Sequence, residues 1–190
     1  MNGFMKNSQK ILAIALLVAG TAFSQSALAL PGFSLGVVGV GGQGVNSLNA
    51  SVLGATVTVS PGLAFGAGVA AEIGPLSAEL IYMVREVTVK TEMPGFPTLE
   101  GSTYGRTLDL PVMFRFGAGG VSLGAGGYLQ LPTQSGGETS YGLTAGARVK
   151  IPGGLFGDAR VNYSLKSVDM GTMGTYTPIE ALALVGFNFL

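Results

Sequence analysis

The most constraining feature of this chain is an alternation of apolar and polar residues with a period of two. In residues 108–116 the even positions are apolar, and the odd positions include Asp109 and Arg115. Residues 76–85 repeat the pattern, with Glu79 and Arg85 on the parity opposite the leucines. Successive side chains of a β-strand point to opposite faces, so this period predicts strands with one apolar and one charged face.

The bulk composition indicates which face meets water. Mean hydropathy is +0.50 and only 11% of residues are charged, against roughly 25% in ordinary soluble domains. No run reaches the roughly 18 consecutive apolar residues of a membrane-spanning helix. Only helices and closed barrels satisfy every backbone polar group in hydrocarbon. The combination therefore predicts a transmembrane β-barrel, with apolar side chains toward lipid and charges toward the lumen.

The first 29 residues have the composition of a secretory signal peptide. Lys6 and Lys10 precede a short apolar run, and Ala27 and Ala29 provide the small residues of a cleavage site. The apolar run is too short for a membrane anchor. We therefore expect an exported protein that is cleaved after Ala29, with residues 30–190 forming one barrel domain. The chain has no Cys, so the fold has no disulfide bonds.

Eight segments of the exported part alternate with period two and are separated by Gly-, Pro- and Ser-rich stretches. The predicted strands are residues 33–41, 57–73, 76–89, 106–116, 121–131, 139–151, 155–165 and 179–190. An even number of strands joined alternately by short turns and longer loops is typical of single-chain bacterial barrels. The predicted fold is all-β, an eight-stranded antiparallel up-and-down transmembrane barrel. We expect external loops at residues 42–51, 91–105 and 167–178.

Five segments carry a resemblance to a known family. They are LDLPVMFRFG (residues 108–117), VSLGAGGYLQL (121–131), YGLTAGARVKI (141–151), FGDARVNYSL (156–165) and the terminal ALALVGFNFL (181–190). The exported chain resembles the small eight-stranded outer-membrane barrels of bacteria, the OmpA/OmpX-like and PorT-like group. The resemblance covers essentially residues 30–190. It implies a place in the bacterial outer membrane, with outer-membrane lipids and the barrel-insertion machinery as partners.

Ten charged residues share the parity that faces the lumen of such a barrel. They are Glu72, Glu79, Arg85, Asp109, Arg115, Arg148, Lys150, Asp158, Arg160 and Glu180. An eight-stranded barrel is just wide enough for side chains to fill it, and a buried charge without a partner is costly. We therefore expect a lumen charge network with pairs such as Glu79 with Arg115 and Asp158 with Arg148. We favour a plug over a selectivity lining.

Glycines on the same parity keep a second interpretation open. They are Gly66, Gly68, Gly124, Gly126, Gly142 and Gly146. Space beside them would make the chain a narrow porin or a barrel that binds a small ligand or a lipid. A further alternative is a secreted, water-soluble barrel with a lipid inside, but the apolar outward parity argues against it.

The chain lacks the residues of several catalytic chemistries. It has no His, which excludes mechanisms that depend on a histidine base, and it has neither His nor Cys as a metal ligand. Residues 39–44 match G-x-G-x-x-G, but no acidic residue follows at the spacing of a dinucleotide site. We therefore expect no catalytic, cofactor-binding or metal site, and a protein that is not an enzyme.

The remaining expectation concerns partners and role. Without Lys6 and Lys10 the exported chain has eight basic and ten acidic residues, a net charge of −2, which argues against nucleic acid. Loops on a rigid scaffold are where such proteins bind. We expect a surface ligand or envelope protein at the loops, in adhesion, envelope integrity or assembly.

Overall fold

The computed structural model describes residues 32–52, 54–134, 137–169, 171 and 174–189. The predicted signal peptide and its cleavage after Ala29 lie outside these residues. In chain order the strands are β1 (Phe33–Gly44), β2 (Leu48–Val52), β3 (Ala55–Ile73), β4 (Leu76–Glu92), β5 (Leu99–Ala118), β6 (Val121–Pro132), β7 (Ser140–Lys150), β8 (Leu155–Ser164), β9 (Val168–Asp169), β10 (Thr175–Tyr176) and β11 (Ile179–Asn188). Among the described residues, no helix is long and apolar enough to cross a membrane.

Eight of these strands close into a ring. Strand β1 pairs with β11 on one side and with β3 on the other, and the order from β11 continues through β8, β7, β6, β5 and β4 back to β3. Every pairing in the ring is antiparallel. Consecutive ring strands are neighbours, so the predicted eight-stranded antiparallel up-and-down barrel is confirmed.

The connections at the two ends of the barrel differ in length. At one end, called the turn end, β3 joins β4 through Gly74 and Pro75, and β5 joins β6 through Gly119 and Gly120. Gly119 and Gly120 have φ values of 65° and 86°, which a two-residue hairpin turn requires and glycine adopts without strain. The opposite end, called the loop end, carries the longer connections.

The predictions of loops at residues 42–51 and 91–105 are wrong, because strands occupy most of both ranges. Strand β1 continues to Gly44 and β2 follows from Leu48, while β4 and β5 run on until only residues 93–98 separate them. Residues 48–52, 55–61, 87–92 and 99–105 pair into a four-stranded sheet, called the extension, that continues the barrel wall beyond the loop end. The range 167–178 also differs from a plain loop, since β9 and β10 form a small hairpin there.

A side chain in a loop-end connection fixes the start of the extension. The Asn46 side chain donates to the carbonyl of Thr177 at 2.6 Å and accepts from the backbone N–H of Ile179 at 2.9 Å. The hydroxyl of Tyr176 donates to the Asn46 carbonyl at 2.9 Å, and burial raises the pKa of Tyr176. These contacts attach the connection between β1 and β2 to the segment that precedes β11.

The barrel wall and the extension have opposite polarity patterns. On β4, the face that carries Leu80 and Val84 in the barrel carries Lys90 and Glu92 in the extension. The opposite face carries Glu79 in the barrel and valines in the extension. A register shift between Pro61 and Ala64 on β3 lies at the same level, since Ala64 pairs with Arg85 and Pro61 with Val87. In the extension, the apolar face is therefore the one continuous with the lumen.

The outer wall of the barrel is an uncharged apolar belt. Its large exposed side chains include Leu63, Phe65, Val69, Ile73, Leu76, Leu80, Val112, Phe114, Phe116, Leu123, Tyr141, Leu143, Val161, Tyr163 and Val185. The outward positions of the barrel wall carry no charge in the following ranges: 33–41, 63–73, 76–84, 108–116, 121–131, 141–151, 155–165 and 179–189. Residues 141–151 span ten steps of about 3.3 Å, which at a tilt of about 40° gives about 25 Å. This is the height of the apolar band of outer-membrane barrels.

Candidate functional site

The ten predicted lumen residues all lie on the inner face of the ring, and the structure divides them into two groups. Seven cluster near the turn end and form the turn-end network, which consists of Glu72, Glu79, Arg115, Arg148, Lys150, Asp158 and Arg160. The other three form the loop-end network, which consists of Arg85, Asp109 and Glu180. The lumen therefore holds charge at two levels.

The centre of the turn-end network is Arg148, whose side chain is 0% exposed. Its guanidinium contacts Glu72, Glu79 at 2.8 Å and Asp158 at 2.9 Å. The carbon of that guanidinium also lies 4.1 Å from the ring centroid of Phe156, a cation–π contact. Three carboxylates and an aromatic face thus surround one buried cation, which offsets its desolvation.

Two more arginines share the same carboxylates. Arg160 donates to both oxygens of Glu79, each at 2.9 Å, and to Asp158 at 2.8 Å. Arg115 donates to Asp158 at 2.5 Å and to the hydroxyl of Ser77 at 3.0 Å. The expected pair of Asp158 with Arg148 is present. The expected pair of Glu79 with Arg115 is wrong, because Glu79 reaches across the lumen to Arg148 and Arg160.

The loop-end network is built around Arg85. Its guanidinium binds Asp109 at 2.5 Å and also contacts Glu180. Thr107 accepts from Arg85 at 2.5 Å and donates to Asp109 at 2.6 Å. The amide of Gln130 donates to Asp109 at 3.4 Å. One cation against two carboxylates leaves this level with one negative charge, whereas the turn-end network has four cations against three carboxylates.

Apolar side chains fill part of the lumen around the two networks, and buried polar side chains fill the rest. On β4 Ile81 and Met83 lie between Glu79 and Arg85, whereas on β8 the inward residues after Asp158 are Arg160 and Asn162, and Asn162 pairs in register with Glu180. The buried apolar cluster in the lumen consists of Val38, Val40, Ala64, Ile81, Met83, Phe156, Leu182 and Leu184. An ion that moves along the axis would have to displace these buried side chains or separate the ion pairs, at a high energetic cost.

Three of the six glycines that suggested an open lumen lie beneath larger side chains. A Cβ on Gly124 would lie 2.8 Å from Cγ of Arg115, and one on Gly146 would lie 2.7 Å from Cβ of Arg160. On Gly142 it would lie 2.7 Å from the ring of Tyr128. Small residues on one strand therefore make room for large ones on its neighbour, which is close packing and not free space.

Several residues of this interior were not among the predicted ones. Ser77, Thr107 and Gln130 bind the charged groups directly, and Phe156 covers Arg148. All four share the inward parity, so the period-two pattern contains the signal that identifies them. Within the described residues, no group of three or more His, Cys, Asp or Glu side chains has the arrangement of a metal site.

Comparisons with known proteins give distant structural matches. No protein-family model matches the chain, and no curated protein matches it in sequence. Among solved structures, the translocator domain of autotransporter NalP from Neisseria meningitidis aligns at 12% identity over 96% of each chain, with a TM-score of 0.37. A variant of the Rh. blastica porin aligns at 16% identity and a TM-score of 0.23, over 74% of this chain and 53% of the porin. The assignment of the barrel rests on its strand pairing and not on these alignments.

Proposed function

We propose that this protein is a non-enzymatic barrel of the bacterial outer membrane, closed to ion flow, that acts through its loop end. The uncharged outer belt supports the membrane location, because its height of about 25 Å matches the apolar band of such barrels. On this proposal the barrel-insertion machinery assembles the chain and outer-membrane lipids cover the belt. The finer resemblance to the OmpA/OmpX-like and PorT-like group belongs to the same proposal.

The observation that carries the closed lumen is its filling by buried apolar side chains and buried ion pairs. Conduction needs a continuous water-filled path, and here Met83, Met113 and Arg148, each at most 1% exposed, fill the lumen. The interior residues are also tied together by ion pairs that cross the lumen, such as Glu79 with Arg160. The barrel is thus a rigid support and not a channel.

The part of the molecule that remains available for partners is the extension with the adjoining connections. Its lumen-side face carries Val57, Val87 and Val89 beside the buried Val59, and its tip carries Phe96, which is 69% exposed. The opposite face is polar, with Lys90 and Glu92 paired at 2.5 Å. A two-faced sheet held on a rigid barrel suits adhesion, envelope integrity or an assembly role through a surface ligand or envelope protein.

Two measurements test the membrane location. Folded protein in detergent is expected to migrate faster on a gel than the same sample after boiling, and the protein is expected in the outer-membrane fraction of the cell envelope. Recovery of folded, monodisperse protein from the soluble fraction without detergent would contradict the location and favour a water-soluble barrel.

A third measurement tests the closed lumen. Planar bilayers that contain folded protein are expected to show no unitary current steps above the bare membrane. Reproducible steps from samples with the folded gel mobility would replace this proposal with the alternative of a narrow porin. As a positive control for the assay, replacement of Met83 and Met113 by Gly removes two buried side chains from the lumen and is expected to raise the current.

A further inference from the structure

The turn-end network has more positive charge than its own carboxylates neutralise. Four cations face three carboxylates there, and Asp158 is shared by Arg115, Arg148 and Arg160. Within the described residues, Nη1 of Arg115 is buried without a hydrogen-bond partner. Lys150 binds Glu72 at 2.5 Å, yet its side chain is 50% exposed at the end of β7. The surplus charge is therefore next to solvent at the turn end.

Arg115 and Lys150 line one cavity of about 300 Å³ at this end of the barrel. The cavity lies between the Gly74–Pro75 turn and the Gly119–Gly120 turn, and the hydroxyl-bearing residues Ser77 and Ser122 also line it. Glu72 lines it too, but its carboxylate already binds both Arg148 and Lys150. The volume of the cavity is at the lower limit of the range for ligand pockets, roughly 300–1,000 Å³.

The rim of the same cavity is apolar. Leu76, Phe116 and Val121 border it, and they are 45%, 62% and 50% exposed on the outer face of the wall. A cationic interior beside an apolar outer rim matches an amphiphile whose anionic head lies inside and whose chain continues along the wall. A small soluble anion would bind the cations but would make no contact with the apolar rim.

We propose that this cavity binds the phosphate group of a glycerophospholipid, with Arg115 and Lys150 as its cationic contacts and with acyl chains on Leu76, Phe116 and Val121. The phosphodiester carries one negative charge, which compensates the surplus of the turn-end network. Cations at a membrane interface attract such headgroups. The inference rests on the proposed membrane location, because the acyl chains need a lipid-facing wall.

Binding of three probes to the full-length protein, folded in a nonionic detergent, tests the proposal. The probes are dioctanoyl phosphatidylglycerol, dioctanoylglycerol, which lacks the phosphate, and inorganic phosphate. Native mass spectrometry or equilibrium dialysis is expected to show saturable binding of the phospholipid at one site, with the phosphate-free lipid at least tenfold weaker. Equal binding of the two lipids, or complete displacement of the phospholipid by an equal concentration of inorganic phosphate, would overturn the proposal.

A matched pair of lysine variants locates the site. Lys150→Gln removes one half-exposed cation of the cavity, and the loss of a charge-assisted contact is expected to weaken phospholipid binding about tenfold. Lys166→Gln is the control, because Lys166 is a lysine of similar exposure, 38%, that pairs with Glu138 far from the turn end. Unchanged binding in Lys150→Gln, or an equal loss in both variants, would contradict the assignment.

The binding measurement remains separate from the test of membrane location. Each variant is used only after its unboiled sample shows the folded gel mobility, so a loss of binding is not a loss of fold. Arg115→Lys keeps the positive charge of the buried arginine but removes its planar guanidinium group. The phospholipid affinity of this variant is expected to lie between the affinity of Lys150→Gln and that of the parent. A folded barrel in the outer-membrane fraction that binds no phospholipid would overturn this inference alone.

Discussion

Removing the charge of Glu79 tests whether the turn-end network holds the barrel together. Glu79 is 5% exposed and accepts from Arg148 at 2.8 Å and from both terminal nitrogens of Arg160 at 2.9 Å. In Glu79→Gln, two buried guanidinium groups lose a shared carboxylate, and four cations then face two carboxylates. Breaking a buried ion pair by removal of one partner costs about 3–5 kcal/mol. We expect a loss of unfolding free energy of that size.

The assay is urea unfolding of the detergent-folded barrel, followed by the fraction that keeps the folded gel mobility. With a urea dependence of about 2 kcal/mol per molar, a loss of about 4 kcal/mol lowers the unfolding midpoint by about 2 M. Glu92→Gln is the control, because its carboxylate pairs with Lys90 on the extension where both side chains are about half exposed. An exposed pair is screened by water and salt, so the midpoint of that variant is expected to remain unchanged.

A double-mutant cycle then separates the pair from general damage. Arg160→Gln removes one of the cations that Glu79 neutralises, so the network of the double variant has three cations and two carboxylates, the same net charge as in the parent. We expect the double variant to be more stable than the sum of the single losses predicts, by about 1–3 kcal/mol. Additive losses, or a Glu79→Gln midpoint equal to that of the parent, would refute the view that this network is held by charge compensation.

Two further predictions concern the wall and the packing of the lumen. The chain has no Cys, so single thiols can be introduced and labelled. In vesicles, the thiol of Val112→Cys on the belt is expected to resist a water-soluble maleimide, whereas the thiol of Tyr104→Cys on the extension is expected to react. Equal labelling of the two variants would contradict a belt that faces lipid. Gly124→Ala places a Cβ 2.8 Å from Cγ of Arg115 and is expected to cost about 1–3 kcal/mol. Gly157→Ala is the control, because its Cβ meets nothing within 4 Å and its unfolding midpoint is expected to match that of the parent. If Gly157→Ala lost as much unfolding free energy as Gly124→Ala, close packing of the lumen would be contradicted.

The period of two predicted the barrel because it is a local property of each strand. Each inward charge, from Glu72 to Glu180, could be assigned to a face from its neighbours alone, since strand geometry alternates side chains strictly. The glycine and proline turns then set how consecutive strands meet. These two local signals are sufficient for an up-and-down ring, in which every strand pairs with the next one along the chain.

Of the ion pairs, Asp158 with Arg148 on adjacent strands was predicted, whereas the pairs that cross the lumen could not be predicted in the same way. Neighbouring strands suggested Arg115 as the partner of Glu79, but the partners that bind it, Arg148 and Arg160, lie across a narrow lumen on β7 and β8. Which side chains meet across the axis depends on strand tilt and stagger, which no short stretch of sequence encodes. The extension was missed for another reason. A loop over residues 91–105 was predicted from Pro94, Gly95, Pro97, Gly101 and Gly105, but Gly101 and Gly105 lie within β5.

The two polarity patterns in one continuous sheet provide a physical argument for the membrane. Between Val84 and Glu86 on β4, adjacent side chains of the same face change from apolar to charged, while the other face changes from Arg85 to Val87. A sheet in a single solvent has no reason to exchange its faces in mid-strand.

Surface patches on soluble monomers rarely exceed a few hundred Å² of apolar area, whereas the belt here surrounds the whole ring. Two different solvents along the barrel axis explain both patterns, with hydrocarbon around the ring and water around the extension. On the proposed membrane location, the boundary between the two solvents lies at the level of Arg85 and the register shift after Pro61.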